Sequence, residues 1–580
     1  MKGLLIAIWF VTTIPAFAGN PAAPSYNKLS SDINDQGGDV IVQFSTAPSS
    51  KHFSKVAALG GSLKQQHNFI KAATFTLPPG AAKKLAEDPD ADVAFISPDR
   101  PVKPHATSQG HATYAPYDYA VNAPAVWANF GINGTGIGVA IIDSGISNHP
   151  DLNNSGGAQR VVYQQDFVGG GTDDHYGHGE HVAGLVGGNG ASSICSTCFE
   201  TFGGIAPNVN LINLRVLDQN GVGTDSAVIS AIQMAIQLKS QYNIRVINLS
   251  LGRPVWDSYT QDPLCQAVEA AWKAGIVVVV AAGNYGRNNS AGNQGYGTIT
   301  SPGNDPYVIT VGAMKDMGTD TRTDDLIASY SSKGPTLFDH VVKPDIVAPG
   351  NQMVGLQSNN GSLPHSYPQN VPLLTSYMTT GSGASSNEYF LLSGTSMAAP
   401  MVSGAAALLL QQHPNLTPDQ VKARLMKTAY KSFPLYSTAT DPATGITYTS
   451  QYDIFTVGAG YLDIAAALAS TDVATGTAHS PTAVFNSSTG QASLVFDQSV
   501  AWGMSIAWGT SVVWGNQVLL SGTFVCWGNS VAWGASTTQG FSVIWGADWT
   551  AADSLLWGSS IAWGANTDAA EAAGIVINGE

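Results

Sequence analysis

Through the middle of the chain, unbroken apolar runs alternate with stretches whose apolar residues recur every three or four positions. GIGVAIIDSG, NLINLRVLD, RVINLSLG and GIVVVVAAGN are near-continuous apolar segments, the pattern of strands buried on both faces. Between them, DSAVISAIQMAIQLKSQ and CQAVEAAWKAG carry helical periodicity. From about residue 112 to 470 this alternation predicts an α/β fold, a mostly parallel sheet flanked by helices. Each of these strands ends in a small polar cluster, and open α/β sheets gather their ligands at the carboxyl ends of strands.

Residues 38–104 carry a shorter alternation. DVIVQF reads as strand, HFSKVAALGG as a helix stopped by glycines, FIKAATFTLP as strand, PGAAKKLAEDPD as helix and ADVAFISPD as strand. Together they predict a small α/β sandwich. Residues 19–37 are polar and read as a leader, and 471–498 as a linker. The segment 499–564 is different: SVAWG, SIAWG, SVVWG, FVCWG, SVAWG, SVIWG, SLLWG and SIAWG recur, with tryptophans at 502, 508, 514, 527, 533, 545, 557 and 563. The spacing keeps a six-residue register with one extra residue. Six is even, and on an extended chain each Trp and the residue two before it share a face, which predicts a β-repeat module with a Trp ladder followed by a tail, 565–580. The indoles either form the module's own core or make an apolar platform for a carbohydrate or cell-surface partner.

Composition narrows the setting. The 580 residues include 40 acidic and 25 basic side chains, a net charge of −15. Nucleic acid is thereby excluded as a main partner, because phosphate binding needs a concentrated basic surface. Charged residues make up only 11% of the chain, so its surface is covered by Ser, Thr, Asn, Gln and Gly, as in many exported proteins. Lys2 precedes an apolar run from Leu4 to Ala16, and Ala16-Phe17-Ala18 has the form of a cleavage site. Residues 1–18 therefore read as a signal peptide, too short for a membrane span, and the protein as secreted. In an oxidising compartment Cys195 and Cys198 suit a disulfide closing a small loop; a zinc half-site is the alternative, with no second cysteine pair to complete it.

Three strand ends carry reactive groups. Asp143 closes the first long strand, and His178 begins a small-residue helix. Ser396 lies in SGTSMAAPMVSGAAALLL, where Gly394 permits a tight turn into a helix. A serine at a helix N-terminus sits beside unpaired backbone N–H groups, which suits oxyanion stabilisation, and Asn284 supplies a candidate side-chain donor. A serine hydroxyl attacks only when a histidine takes its proton and an acid orients that histidine. The stretch HYGHGEHVAG, however, also brings His175, His178 and His181 close to Glu180, leaving metal ligation open on local pattern alone.

DSGISNHPDL, GHGEHVAG, NLSLG, AAGN and GTSMAAPMVSG resemble the blocks of the subtilisin-like serine proteases, in the same Asp, His, Ser order. The resemblance spans roughly residues 112–470 of a catalytic domain bounded at 105–470. It implies that Asp143 orients the histidine, that His178 is the general base and acid, and that Ser396 is the nucleophile. Asn284 and the Ser396 N–H would form the oxyanion hole. Ser250, Leu251 and Gly252 would be the edge that pairs with an extended peptide, and Thr300 would line the specificity pocket with Ser301. Neither is charged, which argues against selection for a basic residue before the cut. His178 is then the proton shuttle, since its spacing to His181 matches no zinc-protease motif.

By the same resemblance, residues 38–104 are an inhibitory propeptide removed near His105, and protein or peptide chains are the substrates. No cofactor is required for catalysis. A structural calcium ion is compatible with Asp151, although NGASSICSTCFETFGG replaces the loop that would complete its site. Glu180, where the family carries a small residue, reads as a first-turn acid facing solvent; a second reading has its carboxylate raising the pKa of His178. Two rivals to an endopeptidase stand: a non-catalytic surface or adhesion protein whose working part is the Trp repeat, and an esterase or amidase.

Overall fold

A computed structural model of the chain describes residues 28–34, 36–104, 120–288, 293–441, 445–486, 491–495, 518–520 and 523–525. The signal segment 1–18 and the eight repeat tryptophans lie outside the described residues. The expected parallel sheet forms the centre. Its strands are β6 (Gly138–Asp143), β7 (Val161–Asp166), β8 (Asn210–Arg215), β10 (Ile244–Leu249), β12 (Val277–Ala281), β13 (Ile309–Lys315), β14 (Leu326–Ile327) and β15 (Ile346–Pro349). The order is β14-β13-β12-β10-β6-β8-β7, with β15 also on β13. All pairs are parallel except β13–β14. Val277 to Ala281 are all buried, as a strand covered by helices on both faces must be. Chain order reverses about β6, whose neighbours are β8 on one side and β10 on the other. A crevice opens at such a switch point, beyond the carboxyl ends of the strands.

The helices follow from local chemistry. Helix α5 (Asp225–Tyr242) starts at Thr224, whose hydroxyl accepts from the Ala227 N–H, and ends at Asn243, which takes a left-handed conformation. Helix α7 (Thr395–Gln412) is buried from Thr395 to Leu410, which its run of Ala, Gly, Val and Leu permits.

Residues 38–104 form a four-stranded antiparallel sheet, β1 (Gly38–Phe44), β2 (Ser62–His67), β3 (Ala72–Leu77) and β4 (Val93–Pro98), in the order β2-β3-β1-β4. Helices α1 (Ser50–Ala58) and α2 (Ala81–Glu87) complete a split βαβ arrangement. Strand β2 is absent from the sequence-based reading because SLKQQH is polar and its first four residues are exposed. The leader also differs from expectation. Leu29 bridges Ile96, and Ser30 is buried, so its last residues belong to this unit. Strand β5 (Pro101–Pro104) then leaves the sheet and runs between β9 (Gly223–Thr224) and β11 (Leu251–Gly252), antiparallel to both.

Part of the segment read as linker is also folded onto the central unit. The Lys422 ammonium donates to the Ser480 hydroxyl at 2.9 Å and lies 3.2 Å from the Asp345 carboxylate. Lys343 reaches the other Asp345 oxygen at 2.7 Å. All three charges are buried, a grouping that tolerates no missing partner. Thr482–Asn486 and Gln491–Val495 pair as an antiparallel hairpin; within the repeat segment, Val518–Leu520 pairs with Thr523–Val525.

Candidate active site

Asp143, at the end of β6, accepts a hydrogen bond from the His178 ring through Nδ1 at 2.7 Å and from the Ser144 N–H at 2.8 Å. Asp143 and His178 are buried. His178 is the N-cap of helix α4 (Gly179–Gly187). The start of that helix packs so closely on the loop after Asp143 that a Cβ at Gly179 would lie 2.3 Å from the Gly145 carbonyl oxygen. Only glycine fits there, which gives the GHG triplet a physical meaning.

Ser396 is the second residue of α7, following Gly394 at φ 144°. Its hydroxyl donates to the Ser250 carbonyl at 2.8 Å, and the Ser250 hydroxyl donates back to the Ser396 carbonyl at 2.8 Å. The second bond has a cause in the sequence. Pro400 lies four residues on, has no N–H to offer the Ser396 carbonyl, and so leaves that acceptor to a side chain. Asn248 donates to the Ser250 hydroxyl at 2.9 Å, and Ser403 to Asn248 at 2.8 Å. The serine is thus tied to the end of β10 and to the Ser250–Gly252 edge. Asn284 follows β12; its amide oxygen accepts from the Thr395 N–H and hydroxyl, each at 3.0 Å, which turns the amide nitrogen away from Thr395. Thr300 is buried against Ala282. The structure therefore joins Asp143 to His178, Asn284 to Thr395 and Ser396 to Ser250; the Ser396 hydroxyl is turned to the Ser250 carbonyl, and no hydrogen bond links it to His178 Nε2.

Several contributors were not read from the sequence. Thr395 orients Asn284, Pro400 frees a carbonyl, and Gly223–Thr224 supply a second edge. Asp174 accepts from the Ser144 hydroxyl at 2.8 Å, the Gly177 N–H at 2.7 Å and the Glu180 N–H at 2.8 Å, binding the Asp143 loop to the His178 helix. Only the proline stands in a motif that could have flagged it.

Glu180 does not face solvent. It is fully buried, and one carboxyl oxygen accepts from the Ser147 N–H. The loop after Asp143 folds over the first turn of the helix, covering the position that an isolated helix would expose. Burial first, then the neighbouring Asp174, pushes the Glu180 carboxyl well above its usual range. The folded state therefore holds a proton here that the unfolded chain releases above pH ~4.3. The stability this contributes is complete below that pH and lost as pH rises toward the folded pKa. Glu180→Gln, which mimics the neutral acid, should raise stability by about 1–2 kcal/mol at pH 8 and leave it unchanged at pH 4 in urea unfolding; equal gains at both pH values would contradict this. His181 is neutral: burial pushes it down to about 3, and its Nε2 lies 3.1 Å from the carbonyls of Met353 and Phe390.

Asp151 does not suit calcium. One carboxyl oxygen accepts from the Ser192 N–H at 2.7 Å and the other from the Tyr389 hydroxyl at 2.8 Å. Donor hydrogens thus occupy the places where a cation would need six to eight converging oxygens. Among the described residues no cluster of three or more His, Cys, Asp or Glu could hold a metal ion. The loop bearing Ser192 is closed instead by the Cys195–Cys198 disulfide, while Cys265 is buried as a free thiol. Replacing both Cys195 and Cys198 by Ser should cost about 2 kcal/mol, the scale for so short a loop, whereas EDTA should leave the unfolding midpoint where it is. An EDTA-induced drop that Asp151→Asn removes would contradict the assignment.

The model of the subtilase family, Peptidase_S8, matches residues 134–498. The serine protease AprX of Bacillus subtilis is 38% identical over 370 residues, 63% of this chain and 75% of that protein. Subtilisin E of the same organism is 34% identical over 433 residues, 73% of this chain and 92% of that protein. Among solved structures, fervidolysin from Fervidobacterium pennivorans, described as a keratinolytic enzyme related to subtilisin, aligns with a TM-score of 0.55 at 22% identity, over 77% of this chain. The aligned part spans 63% of that protein's length, and the likeness bears on the fold.

Proposed function

The chain belongs to the subtilase family and is a subtilisin-like serine peptidase; on that premise we propose that it is a secreted endopeptidase with Ser396 as nucleophile, His178 as proton shuttle and Asp143 as orienting acid. The observation that carries this reading is the 2.7 Å Asp143–His178 hydrogen bond, taken together with a serine in the first turn of a buried helix. Asp143 holds the proton on Nδ1, leaving Nε2 as the base. Ser396 Oγ attacks the peptide carbonyl as its proton passes to His178 Nε2. The charge that develops on the carbonyl oxygen is met by the Asn284 amide and the Ser396 N–H. His178 then gives the proton to the departing amine as the C–N bond breaks. Water, losing a proton to His178, next attacks the acyl carbon, and the C–Oγ bond breaks to free the carboxylic acid and restore the Ser396 hydroxyl. None of these steps needs a cofactor.

Residues 38–104 act as an inhibitory prodomain in this reading. Support comes from β5, whose Lys103 and Pro104 pair with Gly252 and Leu251, the edge on which a substrate strand would lie. Export by residues 1–18 and a surface or carbohydrate contact by residues 499–564 complete the proposal. The test is casein hydrolysis by secreted wild type and Ser396→Ala, with chain mass followed over time. Hydrolysis and loss of about a hundred N-terminal residues by the wild type alone supports a self-maturing endopeptidase; two full-length, inert proteins would count against it.

A further inference from the structure

The unit that ends in β5 reaches into the central unit with one charged side chain. Arg100 immediately precedes β5, and its side chain is only 3% exposed. Its Nη2 donates to the Asp257 carboxylate at 2.6 Å. The remaining contacts come from its own unit: Asp32 at 2.8 and 2.9 Å and the Ser30 hydroxyl at 2.6 Å. Ser30 in turn donates to both Asp257 oxygens at 2.8 Å. The Arg100 backbone is set by the cleft, since its carbonyl accepts from the Asp225 N–H at 2.9 Å. Two residues on, Val102 is fully buried and pairs with Gly223.

Removal of residues 1–104 would take Arg100, Ser30 and Asp32 away together and leave Asp257 behind. Among the described residues of the central unit, none forms an ion pair with Asp257. Its local guanidinium, Arg253, is committed to Asp225 at 2.9 Å and to Asp262 at 2.7 Å, and Asp262 also accepts from Ser301 at 2.8 Å. Three carboxylates thus face one cation, an excess of negative charge that Arg100 offsets in the intact chain. Any peptide entering along the same two edges would place its own side chain where Arg100 now lies.

We infer that Asp257 forms an acidic subsite selecting a basic residue, arginine above all, two positions before the residue that takes the Val102 place in a bound substrate. This rests on the proposal that the prodomain leaves and that substrates pair along β9 and β11. Arginine is favoured over lysine because its planar fork can reach a carboxylate while sharing other acceptors. The subsite lies away from Thr300, so it is compatible with an uncharged pocket next to the cut.

The test uses enzyme recovered from full-length expression and three eighteen-residue peptides carrying residues 97–114 of the chain, with Arg, Ala or Glu at the Arg100 position. The Arg peptide should be cut with a kcat/KM about tenfold above that of the Ala peptide, the scale of one charge-assisted hydrogen bond, and the Glu peptide more slowly still. Asp257→Asn should bring the Arg-to-Ala ratio close to one, and Asp257→Glu should keep it. Equal rates for Arg and Ala with the wild type, or casein cleaved while all three peptides stay intact, would overturn the subsite and leave the protease reading standing. Failure to cut casein would overturn both.

Discussion

Ser396→Ala should lower kcat on a peptide substrate by about 10⁶-fold while the fold and KM change little. The magnitude follows from how the residues act: nucleophile and histidine work as one unit, so losing either removes nearly the whole covalent route. What survives is the slower attack of water in a site that still holds its oxyanion donors, some 10³-fold above the uncatalysed rate. The fold should tolerate the change because the hydroxyl makes one modest bond to the Ser250 carbonyl, while the Ser396 carbonyl keeps its own from the Ser250 hydroxyl. Initial rates with wild type and variant both freed of residues 1–104, the variant by an immobilised protease that is then removed, and circular dichroism for the fold, check both halves. A kcat within tenfold of wild type would exclude Ser396 as the nucleophile.

Asp143→Asn should lower kcat by about 10⁴-fold at neutral pH. The amide can occupy the same space, but Asp143 accepts from two donors, the Ser144 N–H at 2.8 Å and the His178 ring at 2.7 Å. Both meet the same oxygen, Oδ1, so an asparagine that keeps its oxygen there still holds the ring but leaves the imidazolium that forms during reaction without its negative partner. A kcat loss with KM nearly constant is the expected result. A large change in KM with kcat preserved would make Asp143 a binding residue instead.

The central fold was legible because its strands are buried on both faces: GIVVVVAAGN can be little else than a covered strand, and Val277–Ala281 is one. Asp143, His178, Asn284 and Ser396 could be singled out as candidates because reactive side chains at strand ends and helix starts stand out against apolar runs. Strand β2 escaped notice because it is held by backbone pairing to β3 and needs no apolar alternation. Glu180 was misplaced for a related reason: a helix's first turn suggests solvent, and only the tertiary course of the Asp143 loop covers it. Likewise Asp151 kept its cation-binding appearance until Tyr389, more than two hundred residues away, proved to occupy its carboxylate. Long-range partners of this kind leave no local signature. The interface formed by Ser30, Arg100 and Asp257 belongs to the same class, since its members were scattered over a polar leader, a strand boundary and a loop.

The most direct test of the central claim is covalent labelling of the recovered enzyme with a fluorophosphonate, followed by peptide mass analysis. A nucleophilic serine beside a base should take up one phosphonyl group, located on Ser396 within GTSMAAP, with uptake lost in His178→Ala and abolished by prior denaturation. Label on a different residue, or none in protein that cleaves casein, would contradict Ser396 as the nucleophile.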